Sequence, residues 1–267
     1  MAFPVALTIA GSDSGGGAGI QADLKTFQAF GVFGTSALTA VTSQNTVGVY
    51  GVHAVPARDV RRQIEVVVED LQPAACKTGM LASAELVETV AGAIQATGLR
   101  NYVLDPVTVA TSGDRLLDRD AEAAVLDLLL PLCTLVTPNL QEAELLAGGR
   151  ASDETGMRRL AEELASRGAA AVLVKGGHLE GTDVVDVLFD GEAFQSWRRP
   201  KLDTTGTHGT GCTLSAAIAA GLARGWPLAA AVEAALDFTH RAIAEAPDLG
   251  RGHGPLNHWV EVHGPEH

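Results

Sequence analysis

The chain has 267 residues, of which 46% are hydrophobic, a length and apolar content that suit one large domain over residues 1–267. Its 19 basic and 32 acidic residues give a formal net charge of −13, which repels phosphate backbones and anionic lipid surfaces, so we expect neither nucleic acid nor a membrane as partner. The three cysteines lack CxxC spacing and no apolar run suits a signal peptide or membrane span, so we expect a cytoplasmic protein.

Strand and helix patterns alternate from the N-terminus onward. A strand pattern at 5–11 precedes a helical pattern at 20–30, and a strand at 102–106 precedes a helix around 119–130. Further apolar strand patterns are those at 35–44, 74–79, 134–139 and 171–177. This alternation predicts an α/β fold in which helices cover both faces of a mostly parallel central sheet.

The last third of the sequence departs from this alternation. Two alternating runs within 184–199 are joined by Asp190-Gly191, which predicts an antiparallel hairpin at the edge of the sheet. Residues 209–244 are alanine-rich and helical, and Trp226-Pro227 divides them into two predicted helices.

Polar and glycine-rich residues stand directly after the predicted strands. Open parallel sheets bind ligands beyond the carboxyl ends of their strands, so we expect these residues to share one site. They are residues 11–19, Gln44, 77–80, Asp105, Asn139 and 175–178.

The segment GSDSGGGAG at 11–19 predicts a strand-to-helix loop that either binds a ligand through its N–H groups or serves as a structural turn. Gly17, Gly19 and Ala22 match a loose dinucleotide fingerprint. However, no acidic residue stands about 20 positions further on to hold a ribose, and the chain lacks the Gly-Lys pair of a Walker A loop. The loop therefore favours neither an NAD site nor a P-loop.

The segment DTTGTHGTGCT at 203–213 leads into an apolar helix. A Gly-Thr-Gly turn at a helix start exposes N–H donors at the positive end of the dipole, which suits a transferring phosphoryl group. Cys212 stands in this turn, where the dipole is expected to lower the thiol pKa. Cys76 and Cys133 fall in apolar segments and are expected to be inert core residues.

Two further motifs are each compatible with two interpretations. Asn139-x-x-Glu142, with Asp105 closing the neighbouring strand, suits either a water-rich Mg²⁺ site or an ordinary capping box. Lys175, which ends an apolar strand, either reaches nucleotide phosphates or is an exposed strand-end lysine.

Six histidines show no metal-ligand spacing, and most of them are expected at the surface: His178, His208, His253, His258, His263 and His267. The physical properties of the glycine-rich segment RGHGPLNH at 251–258 predict no role for it.

Eight segments follow one another between about Val5 and Asn257: AGSDSGGGAGIQADLKT, TAVTSQNT, KTGML, LDPV, TPNLQEAELL, VLVKGGH, DTTGTHGTGCTLSAAIAA and GHGPLNH. Together they closely resemble the hydroxymethylpyrimidine and phosphomethylpyrimidine kinases of thiamine biosynthesis, which belong to the ribokinase-like superfamily. The resemblance implies a three-layer α/β/α fold with a mostly parallel central sheet, usually in a homodimer. It also implies that ATP with Mg²⁺ phosphorylates 4-amino-5-hydroxymethyl-2-methylpyrimidine to its monophosphate and then to its diphosphate.

The same resemblance implies roles for individual residues. Gln44 would read the pyrimidine through its amide, in a pocket also lined by Gly11, Ala18, Asp23, Met80 and Val107. The Mg²⁺ ligands would be Asp105, Asn139 and Glu142. The triphosphate would be held by Lys175, Thr205, Thr207, Gly209 and Thr210. The catalytic group would comprise Lys175 and the anion hole of Gly209, Gly211 and Cys212.

One position departs from the wider superfamily, whose sugar kinases carry a catalytic Asp where this chain has Cys212. Pyrimidine and pyridoxal kinases share the cysteine, which would serve as a base, a polar wall, or both. A pyridoxine or pyridoxal kinase is therefore the alternative activity, although the donor and acceptor of Gln44 favour an aminopyrimidine. A non-catalytic vitamin-binding protein would not need the anion hole, and an oxidoreductase would need the missing ribose acid.

Overall fold

The computed structural model describes residues 3–107, 119–177 and 181–265. The strands in these ranges are β1 (Val5–Ala10), β2 (Phe33–Leu38), β3 (Ala40–Gln44), β4 (Val49–Ala54), β5 (Ala75–Thr78), β6 (Tyr102–Leu104), β7 (Leu135–Val136), β8 (Val172–Val174), β9 (Asp183–Phe189) and β10 (Phe194–Pro200). The helices are α1 (Gly19–Ala29), α2 (Ala57–Leu71), α3 (Ala84–Thr97), α4 (Arg119–Ala124), α5 (Leu140–Ala147), α6 (Glu154–Ser166), α7 (Thr210–Ala223) and α8 (Leu228–Ala244).

Eight strands form the central sheet in the order β10-β9-β8-β7-β6-β5-β1-β2. All neighbouring pairs are parallel except those of β9, which runs antiparallel to both β8 and β10. The side chains of β5 to β8 are buried throughout, as expected for strands covered on both faces.

Two hydrophobic clusters lie on opposite faces of this sheet. One packs the sheet against α2 to α6, through residues such as Ile64 and Leu160, and the other packs it against α1, α7 and α8, through residues such as Phe30 and Phe238. The predicted three-layer α/β/α architecture with a mostly parallel sheet is therefore confirmed. Within the described residues, no helix is long and apolar enough to cross a membrane.

The run at 35–44, predicted as one strand, is divided into two. At Thr39, which follows β2, the backbone N–H makes the last bond to β1, to Ala10 O at 3.0 Å, and Oγ1 donates to Met80 O at 2.8 Å. Beyond Thr39 the chain leaves the central sheet, and β3 pairs antiparallel with β4 in a separate two-stranded sheet. This departure carries Gln44 to the end of β3, above the edge of the main sheet.

The two features predicted for the last third are confirmed. β9 and β10 form an antiparallel edge hairpin whose turn is fixed by Asp190, because Oδ1 accepts from the N–H groups of Glu192 and Ala193 at 3.0 and 2.8 Å. The alanine-rich region is divided after Trp226, and α8 begins behind Pro227. The helix expected around 119–130 is present in two parts. The α-helical part, α4, ends at Ala124, and a π-helical turn over Val125–Leu129 follows it directly.

Candidate active site

The carboxyl ends of the central strands bring most of the predicted site residues to one edge of the sheet. Gly11 follows β1 and lies so close to Met80 after β5 that a Cβ on Gly11 would stand 2.6 Å from Met80 Cε. Asp105 follows β6, and its N–H donates to Thr78 O at 3.1 Å. Asn139 and Lys175 follow β7 and β8 and pair in an isolated parallel bridge. The predicted clustering of strand-end residues is thus observed.

Asp13 organises the glycine-rich loop at 11–19. Its buried carboxylate accepts from Gly15 N at 2.8 Å through Oδ1, and from Gly17 N and Ala18 N at 3.0 and 2.8 Å through Oδ2. Burial alone would raise the pKa of Asp13, but His208 and these amides outweigh it and hold the pKa below its usual range. The amides that the glycine pattern could have offered to a ligand therefore point at Asp13.

His208 and His258 are both buried, and so depart from the surface placement expected for most of the histidines. His208 Nε2 lies 2.8 Å from Asp13 Oδ2, and His258 Nε2 lies 3.0 Å from Thr213 Oγ1 on α7. Burial lowers the pKa of His258 to about 4. His208 lies in the loop at 203–209, called the phosphoryl-binding loop from its predicted role. That position indicated a role at the site, which a search for metal-ligand spacing could not detect.

The start of α7 has the geometry expected of an anion hole. Its N-cap is Gly209 at φ +86°, and no side chain among the described residues caps it. A Cβ on Gly209 would collide with the carbonyl oxygen of Gly17, so the two glycine-rich loops touch here. Lys175 Nζ lies 3.3 Å from where a Cβ of Gly211 would stand. The first turn of α7 and the Lys175 ammonium, whose side chain is 14% exposed, thus face the same space.

Lys175 is held by acidic neighbours. Its Nζ lies 3.5 Å from Asp105 Oδ1, while Ser215 Oγ donates to Asp105 Oδ2 at 3.2 Å. Burial alone would lower the pKa of Lys175, but Asp105 and then Glu142 outweigh it and raise the pKa. The ammonium therefore stays charged throughout the physiological range, and the expectation of an exposed strand-end lysine does not hold.

Asn139 and Glu142 form a complete capping box at the start of α5. Asn139 Oδ1 accepts from Glu142 N at 2.9 Å, and Glu142 Oε2 accepts from Asn139 N at 2.8 Å. In the described part of the chain, no group of three or more His, Cys, Asp or Glu side chains is arranged to hold a metal ion. The capping interpretation is confirmed, and a role of these two residues with Asp105 in Mg²⁺ binding stays a prediction.

Cys212 lies in the first turn of α7, but its pKa is raised to about 11, so the expected lowering is wrong. Burial is the largest cause; the Lys77 ammonium opposes it, whereas the Asp23 and Asp105 carboxylates add to it. The helix dipole is therefore outweighed by desolvation, and Cys212 is a neutral thiol at pH 7. Cys76 and Cys133 are buried, as predicted for core residues, and burial raises the pKa of each to about 12.

Alkylation of Cys212 by iodoacetamide should report this neutral thiol. With a pKa of about 11, only about 1 thiol in 10,000 is ionised at pH 7, so the rate should rise about tenfold per pH unit between pH 7 and 9. Mass spectrometry of the Cys212 peptide measures the rate, and Cys76 and Cys133 should stay unlabelled in the folded protein. A rate that levels off below pH 9 would show a lowered pKa instead.

A fully buried ion pair lies beneath the site. Lys77 Nζ is 3.0 Å from both carboxylate oxygens of Asp23, and Thr8 Oγ1 donates to Asp23 Oδ2 at 2.6 Å. Burial alone would lower the pKa of Lys77, but Asp23, Cys212 and Asp105 outweigh it and raise the pKa. Asp23 was expected to line the pyrimidine pocket, yet both of its oxygens are engaged below the surface. Its contact with substrate stays a prediction, and the sequence assigned no function to Lys77.

Other predicted site residues lie around the same space. Gln44 is partly exposed, and its Nε2 lies 3.5 Å from His208 Nε2. Val107 N donates to Asp105 O at 2.9 Å.

The threonines of the phosphoryl-binding loop contact one another. Thr207 N donates to Thr205 O at 3.0 Å, and Thr210 Oγ1 donates to Thr207 O at 2.8 Å. The ligand-binding roles of these residues, and those of Gly11, Ala18 and Met80, stay predictions.

The segment at 251–258, for which the sequence predicted no role, forms backbone hydrogen bonds with two loops of the site. Gly254 N donates to Thr205 O at 3.2 Å, and Gly254 O accepts from His208 N at 3.1 Å. His253 N donates to Thr46 O at 2.9 Å, in the connection between β3 and β4. The segment thus ties the phosphoryl-binding loop to the hairpin that carries Gln44. Backbone contacts of this kind have no signature in side-chain patterns.

Sequence comparison connects this geometry to characterised proteins. The model of the phosphomethylpyrimidine kinase family matches residues 13–257. A hydroxymethylpyrimidine/phosphomethylpyrimidine kinase of Rhizobium meliloti is 52% identical over 258 residues, which cover 96% of this chain and 97% of the relative.

Two solved structures are similar to this chain over most of its length. A pyridoxal kinase of Bacillus subtilis in complex with ADP has a TM-score of 0.90 and 39% identity, covering 96% of this chain and 98% of its own. A phosphomethylpyrimidine kinase of Clostridium difficile 630 has a TM-score of 0.81 and 40% identity, covering 90% of this chain and 99% of its own. The glycine-rich start of α7 and the strand-end residues thus occur on a fold shared by a pyridoxal kinase and a phosphomethylpyrimidine kinase.

Proposed function

The chain belongs to the phosphomethylpyrimidine kinase family, and on this premise we propose that it carries out both phosphorylations of a thiamine precursor. In the first, the γ-phosphate of ATP passes to the alcohol of 4-amino-5-hydroxymethyl-2-methylpyrimidine. In the second, another γ-phosphate passes to the resulting monophosphate, which gives the diphosphate. The observation that carries the proposal is the Lys175 ammonium facing the first turn of α7, because a protein that only binds a vitamin needs no such phosphoryl site.

The residues at the start of α7 and Lys175 supply electrostatic stabilisation. Phosphoryl transfer passes through a loose transition state, so catalysis depends on positioning and on neutralising the oxygens of the moving group. The N–H groups after Gly209 and the Lys175 ammonium offer positive charge at one place. Cys212, a neutral thiol at pH 7, serves as a polar wall beside the acceptor hydroxyl rather than as a strong base.

Mg²⁺ is part of the proposal, and the chemistry of the available donors fits it. Asp105 and Glu142 carry carboxylates whose charges both act on Lys175, and hard oxygen donors of this kind hold a mostly hydrated Mg²⁺. Asn139 would add an amide oxygen. Bound there, the ion would neutralise phosphate charge, while the chain's own residues hold the substrates in position.

Product analysis tests the proposed activity. With ATP and Mg²⁺, we expect hydroxymethylpyrimidine to gain first one and then a second phosphate, as followed by mass spectrometry. Lys175→Met should lower kcat/KM by about 100-fold or more, because it removes a charge beside the first turn of α7 that would neutralise the phosphoryl group.

Pyridoxal is the comparison substrate for the same assay, because the pyridoxal kinase fold is so similar to this one. A single phosphate on the pyrimidine, or a preference for pyridoxal, would move the protein to a vitamin B6 kinase role. Absence of turnover on both would support a non-catalytic binding protein.

A homodimer is the assembly that we expect. The two-stranded sheet of β3 and β4 exposes apolar side chains, with Val47 55%, Tyr50 70% and Val52 50% exposed, and isolated two-stranded sheets are only marginally stable. Pairing with a second copy would cover them. Sedimentation velocity should give about twice the chain mass, and Val52→Glu should shift it towards one chain; a wild-type monomer at micromolar concentration would contradict the expectation.

A further inference from the structure

Gly17 lies where the glycine-rich loop at 11–19 meets the phosphoryl-binding loop. Its backbone touches both the His208 ring and Gly209, the N-cap of α7. A Cβ on Gly17 would stand 2.6 Å from His208 Cδ2, and a Cβ on Gly209 would stand 1.9 Å from Gly17 O. The two loops are therefore packed backbone to backbone, without space for a side chain between them.

The Asp13 carboxylate connects the same two loops by hydrogen bonds. Its Oδ2 accepts from Gly17 N and Ala18 N at 3.0 and 2.8 Å, and it lies 2.8 Å from His208 Nε2. The amide hydrogen bonds favour the ionised carboxylate, which only accepts, so the hydrogen on Nε2 is donated to Asp13. Asp13 is only 1% exposed, so water has little access to this link.

The backbone of His208 is fixed as well as its ring. Its N–H donates to Gly254 O at 3.1 Å. The next residue begins α7, because Gly209 O accepts from Thr213 N at 2.8 Å in the first turn of this helix. The position that Asp13 gives to the His208 ring is therefore passed directly to the start of α7.

The two connected loops serve different substrates in the proposed reaction. Gly11 and Ala18 are expected beside the pyrimidine, whereas the N–H groups after Gly209 would receive the phosphoryl group. Three amides of the glycine-rich loop point at Asp13, so they are not offered to ATP. Transfer needs the reacting atoms about 3–3.5 Å apart, and an error of about 1 Å costs about 100-fold in rate. The relative position of the two loops therefore limits the transfer step.

We infer that His208, by donating to Asp13, is a positioning residue that holds the glycine-rich loop against the start of α7 during phosphoryl transfer. The inference rests on the proposed kinase function and deepens it, because it names the contact that sets the separation of the acceptor from the phosphoryl group. Loss of this contact lowers kcat rather than the binding of either substrate, since each substrate keeps its own contacts. A buried pair that only stabilised the fold would not produce this difference.

Two amide side chains at position 208 separate the hydrogen bond from the other properties of the ring. Glutamine places its N–H as many bonds from the backbone as Nε2 of histidine, so His208→Gln can still donate to Asp13. Asparagine is one bond shorter, so His208→Asn carries the same amide but does not reach Asp13. The control is His263→Asn, at an exposed histidine that contacts Asp237 on α8.

Steady-state kinetics with ATP, Mg²⁺ and hydroxymethylpyrimidine measure the effect on transfer. We expect His208→Asn to lower kcat by about 10- to 100-fold, while KM for each substrate changes by less than about threefold. His208→Gln should keep kcat within about threefold of the wild type, because its N–H replaces that of the ring. His263→Asn should leave kcat unchanged.

Hydrogen exchange measures the link between the loops without any need for turnover. Mass spectrometry follows the exchange of backbone amides in peptides that cover 11–19 and 203–213. In His208→Asn, exchange should be at least about threefold faster in both peptides, because the amides that face Asp13 and the first turn of α7 lose a shared contact. In His208→Gln and His263→Asn, both peptides should exchange as in the wild type.

An unchanged kcat in His208→Asn, an equal loss in His208→Gln, or a raised KM with kcat unchanged would overturn the inference. Faster exchange in only one of the two peptides of His208→Asn would also overturn it, because the loops would then share no contact through His208. A wild type that phosphorylates neither the pyrimidine nor pyridoxal would overturn the proposed function instead, and the exchange rates would still decide whether His208 links the loops.

Discussion

Gly209→Ala should lower kcat by at least about 100-fold while the protein remains folded, because loss of one well-placed donor to a transition-state oxyanion has effects of about this size. Gly209 has φ +86°, and any Cβ there would collide with the carbonyl oxygen of Gly17. The backbone must shift to remove the collision, and the N–H groups that follow in α7 shift with it. Steady-state kinetics with the pyrimidine alcohol and ATP measure the effect.

Gly225→Ala is the matched control. Gly225 follows the other end of α7 with a similar φ of +80°, but no atom lies within 4 Å of where its Cβ would stand. A left-handed alanine costs about 1–2 kcal/mol in each variant, and the collision with Gly17 adds to the loss in Gly209→Ala, as thermal unfolding would show. Only Gly209→Ala should lose activity; equal kcat values in the two variants would show that the close approach of the two loops does not matter for transfer.

Lys77→Met should lower the free energy of unfolding by about 3–5 kcal/mol, the cost of leaving a buried charge without its partner. Lys77 and Asp23 are both fully buried and 3.0 Å apart, so no water can replace the ammonium. Urea denaturation at pH 7 measures the change. Lys77→Met combined with Asp23→Leu should recover most of the loss, because the double variant contains no unpaired charge at this place.

The sign of the pH dependence follows from the raised pKa of Lys77. A group whose pKa is higher in the folded than in the unfolded state contributes its full stabilisation below the unfolded lysine pKa of about 10.4 and loses it only at more alkaline pH. Lys77 itself therefore adds no pH dependence between about pH 6 and 9. In Lys77→Met, burial raises the pKa of the unpaired Asp23, so the variant should lose stability as pH rises and Asp23 loses its proton, and the wild-type advantage should grow.

The exposed pair Arg61–Glu65, with Nε and Oε1 2.8 Å apart, is the control for Lys77. Arg61→Met should change stability by less than about 1 kcal/mol. A loss in Lys77→Met as small as that in Arg61→Met would mean that Asp23 is protonated without its partner.

The sequence predicted which strand ends surround the site, because the end of an apolar strand pattern can be located in a sequence. The runs before Asp105 and Lys175 are apolar and buried, so their ends could be located, and a parallel sheet brings such ends together. The break at Thr39 could not be predicted, because the run continues without interruption and Thr39 contacts Met80, which is distant in sequence.

The electrostatic properties of single residues were the least predictable. The position of Cys212 at a helix start suggested a lowered pKa, but the burial that raises it depends on packing across the whole fold. In the same way, the patterns around Asp13 and His208 gave no indication that residues 195 positions apart would meet. Local sequence determines which groups are available, whereas long-range contacts determine their charge and hydrogen positions.

The backbone contacts of Gly254 also have a consequence for how the protein is synthesised. The phosphoryl-binding loop is held by Gly254 through Thr205 and His208, and Thr46 is held by the adjacent His253. A nascent chain that has left the ribosome only as far as α8 has all the strands and helices described above, but it lacks these three backbone hydrogen bonds. Translation must therefore pass Gly254 before these contacts can hold the two loops together.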